Sequence, residues 1–325
     1  MSNHILHNHN EDNIDRRGFL KCMAWAGTGV VWAVGGGVLG SSILRPVIAG
    51  AAESITGGTT GADFTFVQIS DSHIGFNKDA NQDVIGTLKE AVAKITALPQ
   101  RPDFIIHTGD LSHLSDPDEF DALEQVLKDT KVSNIFYVPG EHDVISDNGK
   151  LYLERFGKGT KGNGWYSFDH KGTHFVGLVN VVGTAPDSGL GVLGNDQLAW
   201  LADDLKAVAD STPVVVFAHI PLWAVYPPWG WGTSDSEQAL GMLKRFGSVT
   251  VLNGHIHQIV KKVEGNITFH TAMSTAFPQA APGAPGAKPG PMKVDAGKLR
   301  GLLGITDVNY VEGTHSLAVI DSTLG

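Results

Sequence analysis

Five short stretches rich in histidine and aspartate are the parts of this sequence that could perform chemistry. Each of them directly follows a run of apolar residues. Imidazole nitrogens and carboxylate oxygens are the side-chain groups that bind divalent metal ions, and a pair of such ions can activate water and neutralise a phosphoryl group. In chain order, the stretches are Asp71–His73, Gly109–His113, Gly140–Asp143, Ala218–His219 and Gly254–His257.

The apolar runs before these stretches predict buried parallel strands. The carboxyl ends of parallel strands lie along one edge of a sheet, so we expect the five stretches to converge in one crevice. Between the first two runs, apolar residues at helical spacing from Val84 to Leu98 predict a crossover helix. The predicted strands are Phe64–Ile69, Phe104–Ile106, Ile135–Val138, Val214–Phe217 and Val249–Leu252.

Weaker patterns predict the remaining elements. Asp116 and Pro117 are typical of the start of a helix, because Asp caps the free N–H groups and Pro suits the first turn. A hairpin is predicted from Trp165–Phe168 and His174–Val179, with a loop over residues 169–173. The other predictions are helices over Pro117–Lys128 and Asn195–Val208, a strand over Ile267–Thr271 and one or two strands within Leu299–Ile320.

The order DxH, GDxxH, GxHD, a lone histidine and GHxH resembles the calcineurin-like metallophosphoesterase family. The resemblance extends from Phe64 to Thr275, and the bacterial class III cyclic-nucleotide phosphodiesterases are the most similar branch. It implies an α/β fold, an αββα sandwich of two mixed sheets flanked by helices. It also implies hydrolysis of phosphoesters by a hydroxide that bridges two divalent metal ions.

The resemblance further implies which side chains bind the two ions. Asp110 would bridge them. The first ion would also be bound by Asp71, His73 and His257, and the second by Glu141, His219 and His255. The expected ions are Mn, Fe or Zn, with Mn or Fe favoured.

Glu141 departs from the family pattern, in which asparagine is usual at this position. A carboxylate adds one negative charge and can bind through both oxygens, which favours hard ions such as Mn²⁺ or iron. The added charge should weaken the second metal as a Lewis acid, or repel a dianionic monoester more than a monoanionic diester. Alternatively, Glu141 turns away and leaves that coordination position to water.

Two histidines are expected beside the metals. His142 matches the family's catalytic histidine, which would protonate the leaving oxygen or stabilise charge in the transition state. His113 matches the residue that orients this histidine, a position where some members carry aspartate. Asp143 is predicted to have a structural role, such as capping the next loop.

An aromatic loop follows His219. Its side chains are candidates for stacking on a base, a sugar or a lipid portion of a substrate. The equally weighted alternative is a hydrophobic lid that packs on the domain. The candidate substrate-binding residues are Trp223, Tyr226, Trp229 and Trp231.

Residues 1–51 resemble a twin-arginine (Tat) signal peptide. Arg16 and Arg17 precede an uncharged stretch from Met23 to Leu44, and Ala49–Ala51 offers a cleavage site for a signal peptidase. Cleavage would leave a periplasmic or otherwise extracytoplasmic protein that the Tat machinery has exported. Without cleavage the stretch would be a membrane anchor, since about 20 apolar residues can span a bilayer.

Residues 52–325 are then predicted to form one metallophosphoesterase domain, with a flexible Pro/Gly loop over residues 281–298. The single cysteine, Cys22, lies within the predicted signal, so no disulfide is expected in the mature protein. A formal net charge of −10 argues against a nucleic-acid polymer as the partner. The expected partner is a small phosphoester.

Three functions are compatible with these features. The favoured one is an exported, metal-dependent phosphodiesterase that hydrolyses small phosphodiesters. Within the same family, a phosphomonoesterase or a pyrophosphatase is the alternative. From a different class, the chain is a catalytically inactive protein that binds a metal or another ligand, with Glu141 as the change that ended catalysis.

Overall fold

The computed structural model describes residues 30–35, 38–43, 63–183, 189–311 and 317–325, the first two ranges as backbone only. The chain divides into two units, Met1–Gly58 and Thr59–Gly325. In the first unit, β1 (Val30–Gly35) pairs in antiparallel fashion with β2 (Val38–Ile43). The arginine pair and the cleavage site of the predicted Tat signal lie outside the described residues. Within the described residues, no helix is long and apolar enough to span a bilayer.

The second unit alternates strands and helices. In chain order, its strands are β3 (Phe64–Ile69), β4 (Phe104–His107), β5 (Ile135–Tyr137), β6 (Tyr166–His170), β7 (Thr173–Gly177), β8 (Val214–Ala218), β9 (Val249–Asn253), β10 (Lys261–Glu264), β11 (Ile267–Thr271), β12 (Gly304–Tyr310) and β13 (Ala318–Thr323). Its helices are α1 (Val84–Thr96), α2 (Pro117–Leu127), α3 (Lys150–Phe156), α4 (Asn195–Leu205), α5 (Ser236–Leu243) and α6 (Ala296–Leu299).

The strands of this unit form two mixed sheets. Across the first sheet the order is β13, β12, β3, β4, β5, and across the second it is β10, β11, β9, β8, β7, β6. In the first sheet β3, β4 and β5 run parallel to one another. In the second sheet β11, β9, β8 and β7 do so. The remaining neighbours pair in antiparallel fashion.

Each central strand is apolar on both of its faces. Along β3, Phe66 faces the layer between the sheets, whereas Val67 packs against α1 and α2. Along β8, Val215 faces the same inner layer and Val216 packs against α4 and α5. Successive side chains of a strand point to opposite faces, so burial on both faces requires a continuous apolar run. The predicted αββα sandwich is therefore confirmed.

An aromatic layer separates the two sheets. We define it by Phe64, Phe66, Phe104, Phe168 and Phe175. The rings of Phe66 and Phe104 stack with centroids 5.0 Å apart, and both meet Phe175 edge-on at 5.6 and 5.3 Å. Phe168 stacks on Phe175 at 4.8 Å. Close-packed rings of this kind resist compression, so the layer fixes the spacing of the sheets.

The five strands that precede the chemical motifs are confirmed, each to within one residue at its end. The three long helices are also confirmed at their starts. The helix that starts at Asn195 ends at Leu205 instead of Val208. There the Arg245 guanidinium donates to the carbonyl groups of Leu205 and Val208, which replaces further helical hydrogen bonding.

Two loop predictions were wrong in extent. The hairpin loop is not residues 169–173 but the two-residue turn Lys171–Gly172, because β6 continues to His170 and β7 begins at Thr173. Both turn residues have positive φ, 44° and 79°, as a type I′ turn requires. The flexible Pro/Gly loop was predicted over residues 281–298, but α6 begins within that range at Ala296, and Leu299 of this helix is buried against the core.

A buried histidine links β6, β7 and α4. His174 Nδ1 lies 2.8 Å from Asp169 Oδ1, and its Nε2 lies 3.0 Å from Asp204 Oδ2. Burial lowers the pKa of His174, but the hydrogen bonds to Asp204 and Asp169 outweigh burial and raise this pKa above its usual value. The protonated imidazole therefore favours the folded state.

This histidine predicts a pH-dependent contribution to stability. The contribution is complete below the unfolded-state pKa of about 6.5 and is lost as pH rises through the higher folded-state pKa. We expect the stability difference between the wild type and His174→Gln to shrink between pH 6 and pH 9, measured as free energies of unfolding in urea. A difference that stays constant over this range would contradict the prediction.

Candidate metal centre

The five motif stretches meet at one edge of the sandwich. Those after β3, β4 and β5 come from the first sheet, and those after β8 and β9 come from the second. Histidine and carboxylate side chains from both sheets approach one another there, next to a pocket of about 270 Å³. The convergence expected from the sequence is thus present, and it joins two sheets at one site.

Tight turns carry most of the candidate ligands. Left-handed backbone is unfavourable for residues with a side chain, by roughly 1–2 kcal/mol each, and it clusters at functional sites. Here the positive φ values belong to Asp71 (53°), His73 (41°), Asp110 (52°), His255 (69°) and His257 (52°). These turns reverse the chain directly after a strand and direct the side chains toward the edge of the sandwich.

The turns are bonded to one another. The N–H groups of Asp71 and His73 donate to the carbonyl groups of Gly109 (3.0 Å) and Asp110 (2.9 Å). From the other sheet, the N–H of His255 donates to the Asp71 carboxylate at 3.1 Å. The strained backbone is therefore held from several sides.

One group of donors combines Asp71, His73 and His257. His257 Nε2 lies 3.2 Å from Asp71 Oδ1 and 3.2 Å from His73 Nε2. His257 Nδ1 lies 2.5 Å from the carbonyl oxygen of Phe277, so this nitrogen carries the proton. The lone pair of His257 Nε2 is consequently directed at the other two side chains.

A second group combines Glu141, His219 and His255. Glu141 Oε2 lies 2.9 Å from His219 Nε2, and Glu141 Oε1 lies 2.9 Å from His255 Nδ1. His219 Nδ1 is 2.7 Å from the carbonyl oxygen of Thr108, which leaves the Nε2 lone pair inside the site. Glu141 therefore lies between the two histidines and is not turned away from them.

Asp110 lies between the two groups. Its Oδ2 is 3.4 Å from His73 Nε2 and 3.5 Å from His219 Nε2. Its Oδ1 accepts the N–H of His142 at 2.9 Å. One carboxylate oxygen thus faces a histidine of each group, the position that a bridging ligand needs.

The chemistry of these donors fits divalent cations. Glu141 lies 2.9 Å from His219 Nε2 and from His255 Nδ1, but at angles that do not form hydrogen bonds, and His255 Nε2 is buried without a hydrogen-bond partner among the described residues. Burying such groups unpaired costs several kcal/mol. A cation that accepts their lone pairs removes this cost, and imidazole and carboxylate are suitable ligands for it.

The comparisons with known proteins agree with this geometry. Residues 64–259 match the model of the family described as calcineurin-like phosphoesterase. The chain belongs to this family. It is accordingly a metal-dependent phosphoric ester hydrolase, and its cofactors are divalent metal ions.

Individual relatives of this phosphoesterase are distant. A 3′,5′-cyclic-nucleotide phosphodiesterase from Nostoc is 26% identical over 219 residues, which cover 66% of this chain and 79% of the relative. A probable glycerophosphodiester phosphodiesterase from Arcobacter nitrofigilis is 23% identical over 232 residues, which cover 64% of this chain and 77% of the relative. A crystal structure of a dimetal phosphatase from Danio rerio has the same fold, with a TM-score of 0.59 and 16% identity over 81% of this chain and 97% of that one.

The carboxyl groups of Asp71 and Glu141 are anionic at neutral pH. Burial opposes ionisation of Asp71, but His257 and His219 outweigh it and lower its pKa to about 2. Burial likewise opposes ionisation of Glu141, and His255 with His219 holds the pKa of that carboxyl well below its usual range. The site therefore presents negative charge that cations must balance.

His142 lies beside the donor groups. Its Nδ1 is 2.7 Å from the carbonyl oxygen of His113, and the two rings stack with centroids 4.7 Å apart. Burial lowers the pKa of His142, but Asp110 and Glu141 outweigh burial and raise it. Burial, His142 and Lys78 lower the pKa of His113 to about 4, so that ring stays neutral. His113 thus contacts His142 through its peptide carbonyl and a stacked neutral ring.

Asp143 connects the loops after β4 and β5. It accepts hydrogen bonds from the N–H groups of Leu111 (3.1 Å), Ser112 (2.8 Å) and Gly140 (2.9 Å). The Ser112 hydroxyl adds a fourth at 2.8 Å. The structural role predicted for Asp143 is confirmed, but it secures the preceding loop and not the next one.

The four predicted aromatic residues separate into two sets. Trp229 and Trp231 line the pocket, with their rings edge to face at 5.3 Å. Trp223 instead packs into the core against Phe269, with centroids 4.8 Å apart. Tyr226 meets Trp229 edge-on at 5.4 Å and does not line the pocket.

Three residues that the sequence analysis did not single out support the site. The Gln279 amide donates to the carbonyl of His255 at 2.8 Å, and Phe277 holds His257 as described above. Glu119 accepts the N–H of His113 at 3.1 Å. Glu119 has a sequence signal, the capping-box spacing from Asp116, whereas Phe277 and Gln279 belong to no motif.

Asp143 yields a prediction for stability. Asp143→Ala leaves three buried N–H groups without an acceptor, at about 1–3 kcal/mol each. We expect a loss of at least about 3 kcal/mol in the free energy of unfolding, measured by urea denaturation. Asp147→Ala is the matched control, because it removes an exposed loop acceptor worth about 1 kcal/mol. Equal losses in the two variants would refute the role assigned to Asp143.

Proposed function

We propose that this phosphoesterase is an exported phosphodiesterase that hydrolyses small phosphodiesters at a centre of two divalent metal ions. The observation that carries the proposal is the Asp110 carboxylate, whose Oδ2 lies 3.4 Å from His73 and 3.5 Å from His219. A single oxygen between two separate donor groups suits a pair of ions better than one ion. Relatives that are named phosphodiesterases support a diester as the substrate.

Seven side chains would bind the ions in this proposal. Asp110 would contact both. The other ligands would be Asp71, His73 and His257 for one ion and Glu141, His219 and His255 for the other. Divalent ions at such a site supply Lewis acidity and neutralise the charge of the phosphoryl oxygens. Three carboxylates among the ligands favour Mn²⁺ or iron over Zn²⁺.

The charge at position 141 favours a diester over a monoester. Relative to the asparagine that is usual in the family, the carboxylate of Glu141 lowers the net charge of the metal-loaded site by one unit. The lower charge disfavours a monoester dianion more than a diester monoanion. With asparagine, the site would be one unit more positive and would suit a dianion better.

His142 would act as the general acid. Its Nδ1 proton is held by the carbonyl of His113, so Nε2 is the nitrogen available to the substrate. A protonated Nε2 can deliver a proton to the leaving oxygen as the ester bond breaks.

Export rests on the N-terminal sequence. Arg16 and Arg17, the uncharged stretch from Met23 to Leu44 and the small residues Ala49–Ala51 support transport by the Tat machinery and release outside the cytoplasm. The periplasm is the proposed location. Membrane attachment would follow only if the signal stays in place.

The proposal predicts a preference that simple substrates can measure. With Mn²⁺ bound, we expect bis-p-nitrophenyl phosphate to be cleaved faster than p-nitrophenyl phosphate. We expect His142→Ala to lower kcat by about 10²–10⁴-fold, because the general acid is lost. His170→Ala is the control, since this histidine packs on the rings of Phe64 and Phe104 and is not among the pocket residues.

The other outcomes assign the chain differently. Faster cleavage of the monoester would place it among the phosphomonoesterases. Bound metal without cleavage of either ester would leave the inactive binding protein as the explanation. Full activity of His142→Ala would remove this histidine from the mechanism.

Glu141 predicts a change in selectivity. We expect Glu141→Asn to lower the ratio of kcat/KM for the diester to that for the monoester by about tenfold, which corresponds to about 1.4 kcal/mol for one unit of charge. Glu154→Gln is the matched control, because it removes an equal charge from an exposed helical position. An unchanged ratio would show that the charge at position 141 does not select the substrate.

A further inference from the structure

Lys78 is the one lysine or arginine among the described residues that line the pocket. Its side chain is exposed, so it stands on the solvent side of the pocket. No carboxylate of the described residues lies within ion-pair distance of its ammonium group. The positive charge of Lys78 acts on the site, because it contributes to the lowered pKa of His113. In the part of the chain that the structure describes, this positive charge beside the pocket therefore has no anionic partner.

The backbone at Lys78 is anchored on both sides. Before it, Phe76 is buried against Phe277 with ring centroids 4.3 Å apart. After it, the buried Asn81 donates its amide to the carbonyl of Ala276 at 2.7 Å, and its N–H donates to the carbonyl of Lys78 at 3.0 Å. Although the lysine side chain is exposed, its starting point is fixed relative to the pocket.

The adjacent carboxylate does not neutralise Lys78. Asp79 Oδ2 lies 2.9 Å from Lys293 Nζ, and both side chains are exposed on the surface. Lys293 does not line the pocket. The two lysines therefore differ: Lys293 pairs with Asp79, whereas Lys78 has no carboxylate partner among the described residues.

The size of the pocket places part of a substrate beside Lys78. A volume of about 270 Å³ is small beside the roughly 300–1,000 Å³ of pockets that enclose whole ligands. A phosphoryl group and one small substituent fill it. The rest of a larger diester must extend toward solvent, where the ammonium group of Lys78 lies.

We infer that Lys78 determines specificity by binding a second anionic group of the substrate, beyond the reacting phosphodiester. This inference rests on the proposed phosphodiesterase function. A lysine ammonium is a point charge with three N–H donors, so it binds a carboxylate or a terminal phosphoryl group equally well. An exposed ion pair contributes about 0.2–1 kcal/mol, which corresponds to a preference of up to about fivefold.

Matched diesters isolate this charge. The substrates are methyl aryl phosphates that differ only in the para group of the ring. This group is an anionic carboxymethyl, an anionic phosphonomethyl or an uncharged carbamoylmethyl group. In each, a methylene separates the terminal group from the ring and so insulates the ester oxygen from it. With the full-length Mn²⁺-loaded protein, we expect both anionic esters to exceed the uncharged one in kcat/KM by about fivefold, through KM. If only one anionic ester is preferred, that ester identifies the group that Lys78 binds.

Three variants test the assignment. We expect Lys78→Met to abolish the preference, Lys78→Glu to reverse it and Lys78→Arg to retain it. Lys206→Met is the control and should leave the preference unchanged, because this exposed lysine pairs with Asp203 and does not line the pocket. A preference that survives in Lys78→Met overturns the inference. An equal loss for charged and uncharged esters in Lys78→Met also overturns it, because such a loss marks a structural role.

A binding measurement separates this inference from the proposed function. The non-hydrolysable methyl benzylphosphonates with the same para groups are titrated by calorimetry into the Mn²⁺-loaded wild type and Lys78→Met. Tighter binding of the anionic analogues by the wild type alone supports Lys78 even if no ester is cleaved, a result that would refute only the phosphodiesterase. Equal binding of charged and uncharged analogues by the wild type overturns the inference, whether or not esters are cleaved.

Discussion

The carboxylate of Asp110 is buried where the two sheets meet, between a histidine from each of them. An ionised carboxylate in such surroundings is strongly destabilising unless cations or hydrogen bonds compensate it. The described residues supply one backbone N–H, from His142, while the Nε2 atoms of His73 and His219 lie 3.4 and 3.5 Å from the carboxylate. The left-handed turns and the cross-bonded loops keep these groups together, and the remaining compensation falls to bound cations.

Main-chain carbonyl groups determine how the imidazoles are presented. They fix His219 through Thr108, His257 through Phe277 and His142 through His113. Each carbonyl holds the proton on Nδ1 and thereby directs Nε2 into the site. The path of the backbone therefore controls which ring nitrogen each of these imidazoles presents to the site.

The sheets and most of the donor groups could be predicted, because the information is local. A buried strand such as β8 appears as a continuous apolar run, and a polar residue such as His219 directly after it marks the edge. What could not be predicted depends on contacts distant in sequence. Trp223 and Trp231 lie in the same aromatic loop, yet one packs under the sheet and the other lines the pocket. Gln279 reaches His255 from a segment without any motif.

The aromatic layer has a consequence for the metal centre. Each donor group combines side chains that follow strands of both sheets, so its dimensions depend on the spacing of the sheets. The rings of Phe66, Phe104 and Phe175, which pack between the sheets, set this spacing. Packed rings barely compress, so they hold the charged ligands at a fixed distance. The dimensions of the polar metal centre are thus controlled by the apolar layer of rings between the sheets.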